Sequence, residues 1–528
     1  MSEATQLKSD KLSEALRNIA PVKLKADAKF YKVHKDTEGN FIKIKIDKLK
    51  FIDLLYELGF RRYDIDQAHI FVRVVNHRIL QQVRRTIIED EFFEHLKKEF
   101  GDKPVDGSVV GNPVTVQDLI NAVLNQRTAL FNEELLYRLR PREPIVLNQD
   151  QKEAKYIYFL NGFVKITKDG FDLIAYEKLE GFIWENELIK RNFRMPRGKE
   201  DMKPSVFEKF LLKVCNEDPK RLQSLKTITG YNLHFYTFGK LKVCIFTDSR
   251  ISEDDEANGR TGKTLYGKGL GYVLSPDPDN QMISTYCELN GKDFDPKNKN
   301  KYQQASIDTK VIVLNDVRRN FDIDCIYNDV TEGVTVERKN MQPFRIKPKM
   351  IITTNKTIKV EGGSGRDRVI EFEFGDYFSE KHSPEDEFKH WFFRDWNTDE
   401  WNRFYVFMVQ CIKAYLESGL IKPVAINLDT RKIKDHTSPE FMEWINSKPV
   451  QFEIENSIAT DKGVSKNYWF EQFTSEYTDF KNHKFTQAKF SRWIAMYCRH
   501  SGIALQDFTE RIDLHKTQRQ YLFSKPKS

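Results

Sequence analysis

Cysteine is scarce in this 528-residue chain and never clustered. Cys215, Cys244, Cys287, Cys325, Cys411 and Cys498 stand singly, without the C-x₂₋₄-C spacing that a structural zinc site needs. Dispersed thiols fit a reducing compartment better than a disulfide framework. No run approaches the ~18 consecutive apolar residues of a membrane span. The opening Met1-Ser-Glu-Ala-Thr5 lacks the basic-then-apolar order of a secretory signal, so a soluble, intracellular protein is expected. No repeat of fixed period and no low-complexity tract is present. Neither sign of charge dominates: 85 Lys and Arg against 78 Asp and Glu leave +7, which permits nucleic-acid binding without requiring it.

What is abundant is core-forming material. The 39 Phe and 21 Tyr are the reverse of a disordered composition. The length allows three or more domains, at roughly 100–200 residues each. Phe41 to Ile46 alternates apolar and basic residues as a half-buried strand does. Leu49 to Leu58 reads as a helix stopped by Gly59, and Ile79 to Phe100 as a second helix. Gly101 to Pro113 is a linker or long turn. Val116 to Leu139 is helical in pattern, and Tyr156 to Thr167 reads as a hairpin turning at Asn161-Gly162. Arg197 to Pro204 is a polar boundary, followed by short helices over Val206 to Cys215 and Arg221 to Ile228. From Lys242 the pattern changes to almost wholly apolar runs, Val243–Phe246, Val311–Leu314 and Met350–Thr354. Strands buried on both faces of a parallel α/β sheet read this way. Two helices, Phe388 to Trp396 and Trp401 to Ser418, are expected before a last domain.

Ala257-Asn-Gly-Arg-Thr-Gly-Lys-Thr264 matches the phosphate-loop pattern G-x-x-x-x-G-K-[ST] everywhere but its first position, where Ala replaces Gly. Gly259 and Gly262 let the backbone turn its N–H groups around phosphate oxygens. Lys263 supplies charge to the β- and γ-phosphates of ATP, and Thr264 a hydroxyl for Mg²⁺. The helix that starts there adds its positive end. The ATP cradle is therefore Asn258, Gly259, Arg260, Thr261, Gly262, Lys263 and Thr264. An acidic insertion, Asp248 to Glu256, separates the preceding strand from this loop.

Three further elements follow in order. Val311-Ile-Val-Leu-Asn-Asp316 ends a buried strand in an acid, where Mg²⁺ and the attacking water are held. Asp316 is either the metal residue or the water-polarising base, and Asn315 stands where a second acid is common. Met350 to Asn355 is a strand ending in an amide suited to orient water against the γ-phosphate. Gly362-Gly-Ser-Gly-Arg-Asp-Arg368 carries two arginines suited to reach a neighbour's nucleotide in trans. Each element alone also reads as an ordinary turn or cap; the order of all four is what carries chemistry.

Phosphate loop, acidic strand, hairpin, Asn-ending strand and arginine turn together resemble helicase superfamily 3 of the AAA+ class. Within it the chain is similar to the helicase part of the primase-helicases of phages, plasmids and large DNA viruses. Thr229-Gly-Tyr-Asn-Leu-His234 resembles that group's Gly-Tyr segment upstream of the ATPase. The resemblance covers about Val206 to Phe374. It implies an AAA+ P-loop core of parallel sheet and flanking helices over 241–425, with a helical collar over 204–240. The expected remainder is an α+β N-terminal domain (1–112), a second N-terminal block (113–203) and a winged-helix-like C-terminal domain (426–528).

The resemblance further implies a hexameric ring on single-stranded or forked DNA, cytoplasmic in a bacterial or phage-infected cell, with ATP and Mg²⁺ between subunits. Lys263 and Thr264 would hold nucleotide and Mg²⁺, Asp316 would be the acid and Asn355 the sensor. Arg368 fits the finger position, with Arg366 as competitor. In that family a hairpin between the acid and the sensor grips DNA. Here it spans Val334 to Lys349, with Arg338 and Lys339 near its tip and Lys347 beyond. Helices over Phe470 to Phe480 and Phe485 to His500, then strands at Ile512 and Arg519 to Phe523 joined by a basic turn with Lys516, read as a winged helix. Lys489, Arg492 and Arg499 would face duplex DNA. No primase metal-carboxylate motif stands out in the first 200 residues, so priming would need a partner chain, a primase or polymerase. Other readings are a protein-remodelling or loading AAA+ ATPase, and a DNA-binding initiator that uses nucleotide only as a switch.

Overall fold

A computed structural model describes residues 29–525 except 66–67, 77, 107–112, 199–200, 237–240, 251–259, 275–284, 319–320, 340–341, 359, 361–364, 366, 429–430, 432, 434–436 and 514–515. The protein is mixed α/β, with a parallel sheet, several antiparallel sheets and many helices.

The first strand pair, Tyr31–Lys35 with Phe41–Ile46, leads into the helix Lys48–Glu57. Asp47 caps that helix by accepting from the Leu49 and Lys50 N–H groups. Ile79 to Phe100 is not one helix. Ile79–Val83 pairs antiparallel with Phe71–Val75 in a mixed sheet, and the helix begins at Arg85 after an extended Arg84. Sheet pairing of the Ile79, Leu80 and Val83 side chains, all buried, overrides the local helical pattern. Val116 to Leu139 likewise divides into Val116–Leu124, Arg127–Leu130 and Glu133–Leu136. Asn132 caps the third piece through the Leu135 N–H, the competition that makes Asn a helix interrupter. Phe30, Phe51, Phe92 and Phe131 form the shared core of this region.

In the second block Lys155–Phe159 pairs antiparallel with Gly162–Ile166, so the turn residues are Leu160 and Asn161, one place earlier than expected. Asn161 does not simply turn the chain. Its amide donates to the Phe193 carbonyl and accepts from the Phe193 N–H, both at 2.9 Å. Gly162 opens the second strand at φ +145°, where a Cβ would meet the Ile174 carbonyl oxygen at 2.5 Å.

The parallel sheet has five strands: β1 Val243–Asp248, β2 Tyr286–Asn290, β3 Val311–Asn315, β4 Lys349–Thr353 and β5 Val369–Phe374. Their order is β2-β3-β4-β1-β5, every pair parallel. Side chains alternate between two separate cores, as the strand period requires. Cys244, Phe246, Val311, Val313 and Ile351 join one core, while Val243, Ile245, Ile312, Leu314, Met350 and Ile352 join the other. Burial on both faces explains why these runs are wholly apolar.

Four helices pack on the first face: α1 Val206–Val214, α2 Pro219–Leu233, α3 Lys263–Leu274 and α4 Thr398–Ser418. α2 and α4 touch backbone to backbone, because a Cβ at Gly230 would overlap the Cys411 carbonyl. The helix expected over Phe388 to Trp396 lies earlier, at Pro384–Phe388, and stops where Lys389 turns to φ +59°. Phe392, Phe393 and Trp396 are instead anchors of an irregular segment plugged into the core.

Beyond α4 the chain passes back over the sheet. The buried Glu373 carboxylate of β5 accepts from the Ile426 and Asn427 N–H groups, at 2.5 and 3.1 Å. Asn427 donates to the Ser249 carbonyl at 3.0 Å. The last region has helices Pro439–Ile445, Lys448–Thr460, Lys466–Glu476 and Gln487–His500. A hairpin of Ala504–Asp513 and Lys516–Ser524 follows, both strands longer than the sequence suggested. Trp444, Trp469, Phe473 and Phe490 form its own core. No helix among the described residues is long and apolar enough to cross a membrane.

Candidate nucleotide site

The sheet order makes one crevice special. From β1 the chain runs past β4 and β3 to the far edge, while from β4 it runs the other way, past β1 to β5. β1 and β4 are parallel neighbours whose outgoing connections run in opposite directions, the place where open α/β sheets receive ligands.

β1 ends at Asp248, and the loop returns as Arg260-Thr261-Gly262 before α3 starts at Lys263. Asn258 and Gly259 lie outside the described residues. Arg260 and Gly262 both have positive φ, +73° and +99°. A Cβ at Gly262 would sit 2.6 Å from the Phe210 ring, so the loop lies flat on α1 and only glycine fits. The Arg260 guanidinium points elsewhere, to Glu380 at 2.8 Å.

Lys263 aims into the crevice. Its Nζ donates to Asn355 Oδ1 at 2.7 Å and pairs with the Asp248 carboxylate, which also accepts from the Thr261 hydroxyl. Burial holds the Lys263 ammonium below its ordinary value, against the opposing pull of Asp248 and Asp316. Asp248 Oδ2 is buried with no hydrogen-bond partner among the described residues. Thr264, one residue on, is exposed at the same mouth.

β3 delivers Asn315 and then Asp316, which turns out at φ +57°. The Asp316 N–H donates to Thr353 Oγ1 at 2.9 Å, and its half-exposed carboxylate pairs with Lys292 at 2.6 Å. Asn315 Oδ1 accepts from the Thr353 hydroxyl at 2.5 Å, and its Nδ2 donates to Glu288 Oε1 of β2 at 2.7 Å. Glu288 reaches solvent, yet the neighbours around its carboxyl raise it above its ordinary value by desolvation, with the Asn315 hydrogen bond opposing. Lys263, Thr264, Glu288, Asn315 and Thr353 form the polar rim of a small cavity floored by Phe246 and Tyr266.

Asn355 follows β4, and its backbone carbonyl accepts from Arg431 Nη2 at 2.9 Å. Arg431 also reaches Thr247 Oγ1 at 3.2 Å, so the returning segment is fastened beside the crevice. Lys263, Asp316 and Asn355 thus meet at one carboxyl edge. Arg368 does not: it precedes β5 and its carbonyl accepts from the Val243 N–H at the opposite, amino edge. Its guanidinium lies 5.3 Å from the Tyr327 ring centroid. Arg366 lies outside the described residues.

The basic hairpin pairs Val334–Val336 with Phe344–Ile346. Arg338 donates to the Gln303 carbonyl at 2.9 Å and to that of Ala305, so it ties the hairpin to a neighbouring loop. Lys339 and Lys347 are exposed. Lys489, Arg492 and Arg499 are exposed on the helix Gln487–His500; the Lys516 side chain lies outside the described residues.

Asp248, Glu288, Lys292 and Arg431 belong to this site but were not singled out as its residues in the sequence. Asp248 carries the same signal as Asp316, an acid ending an apolar strand, but reads there as the start of the acidic insertion. Glu288 is a lone charge in the strand Tyr286–Asn290. Arg431 has no motif around it and is brought in only by tertiary structure.

No protein-family model matches the sequence, and no curated protein does. Two of the solved structures that match show how faint the likeness is. "The A form apo structure of NrS-1 C terminal region-CTR" has 13% identity over 90% of this chain and 99% of that one, with a TM-score of 0.34. "The A form apo structure of NrS-1 C terminal region-CTR(305-718)" has 13% identity over 70% of this chain and 96% of that one, with a TM-score of 0.30. Likeness this weak carries no argument, so the chain's own geometry must: a parallel sheet gathering Lys263, Asp316 and Asn355 at the carboxyl edge where its topology reverses.

Proposed function

We propose that this chain is an ATP-dependent DNA helicase of the superfamily 3, AAA+ type, a ring-forming motor that hydrolyses ATP between subunits and moves along DNA. The observation that carries it is Lys263, first residue of α3, held in the switch-point crevice by Asn355 and Asp248. A largely buried ammonium at a helix N-terminus beside a glycine turn suits a phosphate group. Arriving γ-phosphate replaces Asp248 as the partner of Lys263, and the Asn355 amide lies within reach of the same oxygens.

Thr264 and Asp316 offer the oxygen donors Mg²⁺ takes. Magnesium commonly uses one or two protein groups and completes its shell with phosphates and water. When bound, the ion offsets the charge that develops on the transferring phosphoryl group. Arg368, at the amino edge, is remote from its own Lys263, which suits action on a neighbour's nucleotide. Lys339 and Lys347 supply exposed charge for the DNA backbone, and Arg338 braces the hairpin that carries them. Two helices followed by a long hairpin favour the winged-helix reading of the last domain.

Strand displacement by the purified protein tests this. Wild type should open forked DNA with ATP and Mg²⁺, Lys263→Ala should lose both turnover and unwinding, and Lys339→Ala should keep turnover while unwinding falls. ATP turnover that never opens duplex, even with a loading partner, would make the chain a remodelling ATPase. Binding without turnover would make it a nucleotide-switched initiator.

A further inference from the structure

The crevice holds a second carboxylate that the order of motifs along the chain does not reveal. We infer that Glu288 is the general base of this site, oriented by Asn315, so that the acid missing after β3 is supplied by the adjacent strand. The inference rests on the ATP-hydrolase reading above.

Three observations carry it. On β2, Cys287 and Leu289 enter the core on one face of the sheet, so Glu288 emerges on the other, the face that bears α3. There it rims the same cavity as Lys263 and Thr264, a space of about 10 Å³, roughly the size that admits one water. The Asn315 amide, at 2.7 Å, fixes the carboxylate while its own oxygen is tied to the Thr353 hydroxyl. The relay Thr353–Asn315–Glu288 leaves Asn315 no freedom to turn its amide round, so Oε1 accepts and the second oxygen remains for water. Asp316, by contrast, is turned out of the strand and engaged by Lys292. The two acids thus divide the work, with Asp316 on the metal side and Glu288 on the water.

In the step itself the water oxygen bonds to the γ-phosphorus as the bond to the β,γ-bridging oxygen breaks. The electron pair of that bond leaves with ADP, and the water proton passes to Glu288, which later releases it to solvent. Positioned general bases contribute about 10²–10⁴-fold.

Glu288→Gln keeps the shape and the acceptor for Asn315 but removes the basicity. Its turnover should fall at least about 100-fold, while a fluorescent ATP analogue binds as it does to wild type. Acid-quenched single-turnover samples should then recover the bound ATP uncleaved. Turnover near wild type in Glu288→Gln, with Lys263→Ala inactive, overturns the inference and leaves the hydrolase reading standing. Binding lost in step with turnover makes Glu288 structural and also overturns it. A wild-type protein that never cleaves ATP overturns the parent reading instead.

Discussion

Lys349 should cost this protein stability at neutral pH, and that cost should vanish in alkali. It opens β4 at 2% exposure, its N–H bonded to the Lys310 carbonyl at 2.8 Å and its Nζ 3.5 Å from the Tyr231 ring centroid. Burial pushes its ammonium from 10.5 down to about 7, with Cys244 and Asp150 only partly opposing. At 1.36 kcal/mol per tenfold in proton affinity, that depression is worth about 5 kcal/mol against the folded state. The sign follows from proton counts. Below about 7 the amine is charged whether folded or unfolded, so the penalty is full and constant. Between about 7 and 10.5 the unfolded chain keeps a proton that the folded chain has shed, so stability rises with pH and the penalty is relieved. Lys349→Met keeps the stem and removes the charge, at the cost of a cation–π contact of about 2 kcal/mol when desolvated. The variant should be stabler by about 2–3 kcal/mol at pH 7 and lose that advantage towards pH 10. A chain of this length does not unfold as one unit, so the assay is the difference in melting midpoint between the two proteins from pH 6 to 10. A difference that is flat across that range refutes the reasoning.

Gly230→Ala sets a methyl against the Cys411 carbonyl, so α2 and α4 must part, at about 1–3 kcal/mol; a lower melting midpoint with unchanged ATP affinity is expected from thermal shift and binding assays. Asp248→Asn removes the charge that competes with phosphate for Lys263. It should lower the nucleotide-free melting midpoint and tighten ATP binding several-fold by titration calorimetry; weaker binding would mean that Asp248 helps to hold the nucleotide.

The sheet was legible because its strands are buried on both faces, and a wholly apolar run such as Val311–Leu314 has few other uses. That Lys263, Asp316 and Asn355 gather at one edge was legible too, because each lies within a few positions of a sheet strand or of its loop. Glu288 was not, because its meaning depends on which strand lies beside β3, and strand order is not written in local spacing. Arg431 enters 76 residues after Asn355, through a tertiary contact with a backbone carbonyl that constrains no side chain there. Where local pattern misled, tertiary demands won: Ile79–Val83 was taken into a sheet, and the aromatics after Phe388 became anchors rather than a helical stripe.

The return of the chain over the sheet has a mechanical consequence. A force applied to the region after Ser438 does not enter the parallel sheet through the long helix α4 alone. Glu373 holds the Ile426 and Asn427 N–H groups, Asn427 reaches Ser249, and Arg431 reaches Thr247 and Asn355, all towards the carboxyl edge. Load therefore also arrives at the strand tips, where Asp248 and Asn355 touch Lys263. Any displacement of those tips is transmitted outward along the same clamps.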